Sequence, residues 1–317
     1  MKVFLLFFLG VFPMEIKKTN GIQKDEFQTS SGKFSVYFLG HASLFFTYND
    51  QVIYVDPCSQ YGDYSSLPKA TLILITHHHF DHAGGIFPLI EFLKSKNSNI
   101  EIWTTEEMYT LIQNPASYIE KAKKGFKDVV GDLTEIPERF FSIQSSDSFL
   151  DLSDEFKIKM LRTPGHCNDH ISPIIVNSFN DKICFLGEAF GINLKSDLFP
   201  IPASSAPAFN STLYRNSIAK LLEMAPDIAI FSHFGGIQGK QNIKNTGENA
   251  LFMLDSFQSF IRDSYCESGK TQDVVQCIYE KYEDTIATLS LDKELSKDLA
   301  FTIVYGCMQD MGLKARK

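Results

Sequence analysis

The sequence predicts a layered α/β fold with a helical tail, and three observations predict it. The run "ATLILIT" (70–76) is continuously apolar, as a strand buried on both faces is. Behind it, "GGIFPLIEFLKS" reads as a helix and "NIEIWTT" as the next strand, the strand–loop–helix–strand rhythm of stacked layers. Beyond Gly239 the pattern changes to helices, at about 246–264, 271–286 and 294–312.

The remaining elements follow the same logic. "FSVYFLG" and "ASLFFTY" are β-rich, and "ND" marks a hairpin turn before "QVIYVDP". The stretch from about Glu106 to Ile136 is helical and polar. Strand signals return at "FKIKMLRTPG", "ISPIIVNS" and "DKICFLG". "STLYRNSIAKLLEMAP" has helical apolar spacing with Ser211 as its N-cap, and "DIAIFSHFGG" is an apolar strand ending in a histidine and glycines. No internal repeat and no low-complexity stretch is visible.

Composition narrows the function. At 317 residues the chain holds one large domain or two ordinary ones, and 44% hydrophobic residues support a substantial core. A net charge of −8 without a basic run argues against nucleic acid as a partner, because phosphate binding needs clustered Lys and Arg. A small-molecule substrate remains open. The N-terminal "MKVFLLFFLGVFPM" has the charge and apolar length of a signal peptide over residues 1–20, although no small-x-small cleavage site follows. No other stretch is long and apolar enough for a membrane helix, so the reading is an exported protein, or a cytoplasmic one if this segment is no signal. The six cysteines form no CxxC pattern. A disulfide among Cys266, Cys277 and Cys307 is an option for an exported chain, while Cys184 reads as a buried thiol.

The histidines carry the functional signal. All eight lie before position 234, each after or between strand-like runs, where strand ends present side chains to a shared edge. Imidazoles with carboxylates in this arrangement suit zinc, or iron and manganese. His77 and His79, two apart on one loop, can reach one ion. Asp81 and His82, next along the turn, can serve a second. Two ions need more donors than this loop offers, and His166, Glu188 and His233 at later strand ends complete the set.

In order, "THHHFDH" (76–82), "TPGH" (163–166), "GE" (187–188) and "SHFGG" (232–236) resemble the metallo-β-lactamase superfamily, together with "GHASLFF" and "VDP" near the start. The resemblance covers about residues 33–240. It implies an αββα four-layer sandwich, two helix-covered β-sheets with two divalent metal ions at one edge. The implied organisation is a metallo-β-lactamase-like domain over 22–240 and a C-terminal helical extension over 241–317. Carried over by motif, His77, His79 and His166 hold the first metal, Asp81, His82 and His233 the second, and Glu188 bridges. The usual bridging residue is Asp. Here it is the longer Glu188, as in the alkylsulfatases of the superfamily; alternatively Glu188 stands behind the ligands and one metal binds tightly.

Other positions are supporting ones. Asp56 in "VDP" matches a position that buttresses the metal loop. His41 resembles the "GHA" element of lactonase-like members, with a role near the substrate or simply at a strand start. His78 lies between two ligands and is expected to point away from them. His170 is expected to support His166, and only its place beside a ligand marks Cys167.

Two divalent ions sharing a water lower its pKa toward neutrality and hold it as hydroxide. Hydrolysis is therefore the expected reaction, with Asp81 both ligating and orienting the nucleophile. The layout is most similar to the glyoxalase II-like group, which implies a small ester-type substrate, a thioester or a lactone. The basic residues with which such enzymes bind glutathione are not identifiable. The helical tail reads as added packing, with a pocket lid or a homodimer surface as alternatives. The competing class is a di-iron oxygen-binding or redox protein, or a non-catalytic metal sensor. The redox relatives usually carry Glu at the position of His79 and an appended flavin domain, which this chain lacks.

Overall fold

Among the described residues, fourteen strands divide into two sheets, and the site lies where strands of both end. The computed structural model describes residues 17–19, 22–40, 42–48, 51–58, 64–94, 100–114, 123, 136–193, 200–233, 235–283 and 293–316. Most of the signal-peptide reading and the whole of the His41 reading lie outside the described residues.

The first sheet contains β1 (Lys17–Thr19), β2 (Ile22–Thr29), β3 (Gly32–Gly40), β4 (Ser43–Tyr48), β5 (Gln51–Val55), β6 (Leu72–Leu74), β7 (Glu101–Thr104) and β8 (Phe141–Ile143), paired in that order. Pairing is antiparallel through β5 and parallel from β5 to β8. Short turns allow the antiparallel half, whereas parallel neighbours need long crossovers, two of which carry α2 (Ile86–Lys94) and α3 (Glu106–Gln113). Leu72, Ile73 and Leu74 are all buried, so β6 is covered on both faces as its unbroken apolar run predicts.

The second sheet is formed by β9 (Phe149–Ser153), β10 (Phe156–Arg162), β11 (Ile171–Asn177), β12 (Lys182–Gly187), β13 (Ile228–Phe231) and β14 (Gly236–Gln238). Only the β12–β13 pair is parallel, and α4 (Ser211–Glu223) lies in its crossover. Because β10 and β12 are both antiparallel to β11, the strands β10, β12 and β13 all point the same way. Their C-terminal ends therefore share one edge.

Side-chain alternation sorts this sheet into two cores. Ile183 and Phe185 of β12 join the core between the sheets, where the Phe185 ring lies 5.0 Å from Phe46. Cys184 and Leu186, on the opposite face, join the core beneath the helices. That second core takes in α5 (Lys240–Ser268), α6 (Thr271–Lys281) and α7 (Lys293–Asp310). The buried positions of α5 are Ile243, Gly247, Ala250, Leu254, Phe257 and Ile261. Steps of three and four place them in one stripe. The layers are thus helix, sheet, sheet, helix, as the motif resemblance implies.

Three details differ from expectation or sharpen it. The N-cap of α4 is Asn210, whose side chain accepts from the Leu213 amide at 3.0 Å; Ser211 is the first helical residue. All six cysteines are free, with Cys266 and Cys277 exposed and Cys307 buried, so no disulfide ties the tail. Among the described residues, no helix is long and apolar enough to cross a membrane.

Candidate metal centre

The loop leaving β6 is held before it presents any donor. Asp56, just beyond β5, accepts from the Thr76 amide and the Thr76 hydroxyl, both at 2.7 Å, and from His82 Nδ1 at 2.8 Å. It does so from a left-handed backbone, φ +51°, which Asp tolerates better than most residues. His77 Nδ1 lies 3.1 Å from the Thr76 hydroxyl. With Nδ1 engaged in both rings, the Nε2 atoms of His77 and His82 face the site, the usual way a carboxylate behind a histidine sets its tautomer. The buttressing role expected of Asp56 is what the contacts show.

A single helical turn, α1 (Phe80–Ala83), follows His79 and turns Asp81 and His82 toward the same edge. The ends of β10, β12 and β13 deliver His166, Glu188 and His233. An inter-sheet hydrogen bond from the Ile171 amide to the Thr76 carbonyl, 2.8 Å, joins the two halves at this point.

The donors gather in two groups. In the first, His79 Nδ1 stands 3.0 Å from His77 Nε2 and 2.9 Å from His166 Nε2. The second contains Asp81, His82, Glu188 and His233, with ligand atoms within 4.8 Å of one another. Glu188 lies between them. Its Oε2 is 2.6 Å from His166 Nε2 and 3.7 Å from His77 Nε2, while its Oε1 is 3.0 Å from His233 Nε2 and 3.9 Å from His82 Nε2. All seven residues singled out by sequence are thus together.

Electrostatics fit a cation here. Burial and the neighbouring imidazoles hold His77 well below the usual imidazole range, and His79 down to about 3. Neutral rings with converging lone pairs repel one another unless a positive ion lies among them. Burial works against charge on His82, but Asp56, Asp81 and Glu188 outweigh it and raise the group to about 9. Burial likewise opposes ionisation of Glu188, yet His166, His233 and His82 hold its carboxyl well below the usual range. The buried His82 Nε2 has no hydrogen-bond partner among the described residues. Such an orphan facing carboxylates suits a metal ligand. The residues therefore fit two divalent ions.

The supporting layer departs from the sequence reading. His170 does not hold His166. It accepts from the Glu188 amide through Nε2 at 3.0 Å and donates through Nδ1 to Thr163 at 2.9 Å. A chain continues from the Thr163 hydroxyl to Ser172 (2.9 Å) and from Ser172 to the Leu186 carbonyl (3.1 Å). His170 thus fixes the backbone of Glu188. Gly187 makes room for it: at φ +56° a Cβ there would overlap His170 Nε2. We expect Gly187→Ala to cost about 1–3 kcal/mol of stability and to weaken metal binding about tenfold or more, read by urea unfolding and metal titration.

His78 points away from both groups, as expected, but it is not idle. Its amide and Nδ1 both donate to Asp169, each at 2.9 Å, and the Cys167 thiol donates to the same carboxylate. Burial opposes charge on Asp169, yet these donors hold its carboxyl well below the usual range. Asp169 therefore clamps the His77–His79 loop to the "TPGH" turn. Sequence reasoning passed over it, although a carboxylate three residues beyond His166 was the available signal. Cys167 also lies within reach of the first group; burial pushes its thiol well up, which keeps it a donor.

Comparisons with known proteins agree with this architecture. Residues 35–101 match the family model described as a β-lactamase superfamily domain. The chain is 24% identical, over 56% of its length and 66% of the relative's, to the metallo-β-lactamase fold-containing protein ST1585 of Sulfurisphaera tokodaii. It is 31% identical to a hydroxyacylglutathione hydrolase of Pseudoalteromonas translucida, over 44% of this chain and 42% of that one. The chain thus spans less than two thirds of the length of these curated relatives. A β-lactamase domain protein from Burkholderia ambifaria superposes with a TM-score of 0.56 at 14% identity, covering 94% of this chain and 87% of that one. That likeness extends the shared fold over the C-terminal helices.

Proposed function

We propose that this chain, which carries a β-lactamase superfamily domain on the metallo-β-lactamase fold, is a dinuclear metal-dependent hydrolase of a small ester-type substrate, a thioester or a lactone. The observation that carries the reading is Glu188, with one carboxylate oxygen toward each donor group. Zinc is the ion that six imidazole and carboxylate donors flanking a shared carboxylate suit best. Bound there, two such ions supply a water acidified to near neutral pH and polarise the bond under attack.

The chain's own residues do the rest. His77, His79 and His166 form a face of three imidazole nitrogens, and Asp81, His82 and His233 form one of two imidazoles and a carboxylate. Asp81 keeps 18% of its side chain exposed while His82 is fully buried. Oδ2 of Asp81 faces His82 Nε2 at 3.6 Å, and the other carboxylate oxygen is the one that can orient the attacking water and take its proton. The buried His77, His82 and Glu188 keep bulk water from the floor, so charges there act through a low dielectric. The preference for a thioester draws support from the relative named as a hydroxyacylglutathione hydrolase.

A substrate screen tests the reading. Zinc-loaded protein is offered a thioester, a lactone, a phosphodiester and a sulfate ester, with chelator-treated protein as control. Turnover of the thioester or lactone that disappears on chelation is the expected result. No chelator-sensitive hydrolysis of any substrate, or bound iron with a visible chromophore in an active redox assay, would overturn it.

A further inference from the structure

The C-terminal helix α7 is linked to the metal centre through the buried Ala203 and Ser204. His166 turns Nε2 toward the other donors because its Nδ1 donates to the Ala203 carbonyl at 2.7 Å. That carbonyl lies 37 residues along the chain, and the described residues 200–210 around it form no helix or strand, only an isolated bridge from Ile201 to Ile192. Ala203 and Ser204 are completely buried. The Ser204 hydroxyl donates to the Ile303 carbonyl of α7 at 2.9 Å.

One turn further along α7, Gly306 faces the same segment. A Cβ there would overlap the Ser204 carbonyl oxygen and stand 2.8 Å from the Ala206 amide nitrogen. Both are backbone atoms and cannot rotate aside. Glycine is disfavoured within a helix relative to alanine, so this close approach gives a physical reason for it. Another turn on, Asp310 accepts from the Ser211 amide at 3.0 Å, and beyond the helix Arg316 donates to the Phe209 carbonyl at 3.0 Å. Positions 303, 306 and 310 lie on one helix face. That face holds the segment from Ala203 to Ser211 by polar contacts, which simple apolar packing of a tail does not require. The same segment is tied to the "TPGH" turn, since the Asn210 amide donates to the Gly165 carbonyl at 2.8 Å.

We propose that α7 is a positioning element of the metal centre, in which Gly306 seats Ser204 against the helix so that the Ala203 carbonyl orients His166 toward the first donor group. The proposal rests on the metal-centre reading above but not on any substrate. A hydrogen-bond partner behind a ligating histidine is worth about 10–100-fold in metal affinity.

Gly306→Ala and Ser204→Ala test it, each measured by zinc competition against a chromogenic chelator and by the visible spectrum of the cobalt-loaded protein. Far-UV circular dichroism and the unfolding midpoint of the metal-free protein serve as controls. Gly306→Ala is expected to weaken one of the two zinc ions about tenfold or more and the other less than about twofold, with an altered cobalt spectrum and unchanged helix content. Ser204→Ala, which removes the bond to the Ile303 carbonyl together with the longer contact to the Pro202 carbonyl (3.4 Å) and the one to the Cys307 thiol, is expected to weaken the same ion about fivefold. If Gly306→Ala fails to fold, Ser204→Ala decides by the same criteria. Folded variants with wild-type zinc affinities, or equal weakening of both ions, would overturn the proposal while leaving the hydrolase reading intact. Wild-type protein that binds no zinc would sink both.

Discussion

His79→Ala is expected to empty the first donor group and to lower hydrolytic turnover by about a thousandfold. The size follows from the position of Nδ1, within 3.0 Å of His77 and 2.9 Å of His166. Without it, two imidazoles and one oxygen of Glu188 face that side, one donor short of a four-coordinate ion. A metal that polarises the reacting bond contributes several kcal/mol, and about 4 kcal/mol corresponds to a thousandfold at 1.36 kcal/mol per decade. The fold is expected to survive. His79 stands at the N-cap of α1 but makes no side-chain cap bond, so its removal leaves no backbone amide newly unsatisfied. Elemental analysis, turnover and the melting curve of the metal-free protein check the three parts separately. Unchanged zinc content and unchanged turnover would mean that the ligand assignment is wrong.

Glu188 is the second large effect, and two replacements separate its charge from its reach. Glu188→Gln keeps the shape and removes the charge that faces both groups. It is expected to lose one of two ions and about a thousandfold in turnover, by the same conversion as for His79. Glu188→Asp keeps the charge and shortens the side chain by one methylene. From the present backbone an aspartate reaches one group well and the other poorly. An intermediate loss of about 10–100-fold is therefore expected, with the second ion weakened rather than absent. If the aspartate variant equalled wild type, the length of Glu188 would have no part in spacing the groups. If the glutamine variant kept both ions, the carboxylate would stand behind the site rather than between its halves.

What was legible in the sequence had local or periodic causes. Four donors lie within six residues of one loop, so "HHHFDH" could be read as a metal-binding turn without any long-range contact. The apolar runs ending at Thr76, Gly187 and Phe231 showed which strand ends would supply donors, because buried strands leave a strong local pattern. The strand Ile22–Thr29 was harder to see, since Asp25 shares its inward face with Phe27 and Thr29 and breaks the apolar alternation. Three-residue edge strands such as Phe141–Ile143 are too short to show a period at all.

The supporting contacts were the least legible, for a physical reason. A backbone carbonyl carries no sequence identity, so nothing in the chain marked Ala203 as the partner of His166. His170 is four residues from His166, yet the antiparallel return of β11 carries it to Glu188 instead. The tail histories are similar: spacing allowed a disulfide there, and the helices hold together through their apolar stripe with all cysteines free. Nothing in the sequence around Gly306 marks the backbone of Ser204 that it faces across the interface.

Two donor groups sharing Glu188 are expected to bind two divalent ions. Elemental analysis of protein reconstituted with zinc and freed of loosely held metal tests it most directly. About two zinc ions per chain are expected, since the two groups supply six imidazole and carboxylate donors besides Glu188. One tightly held ion, with no second ion even at saturating zinc, would contradict it.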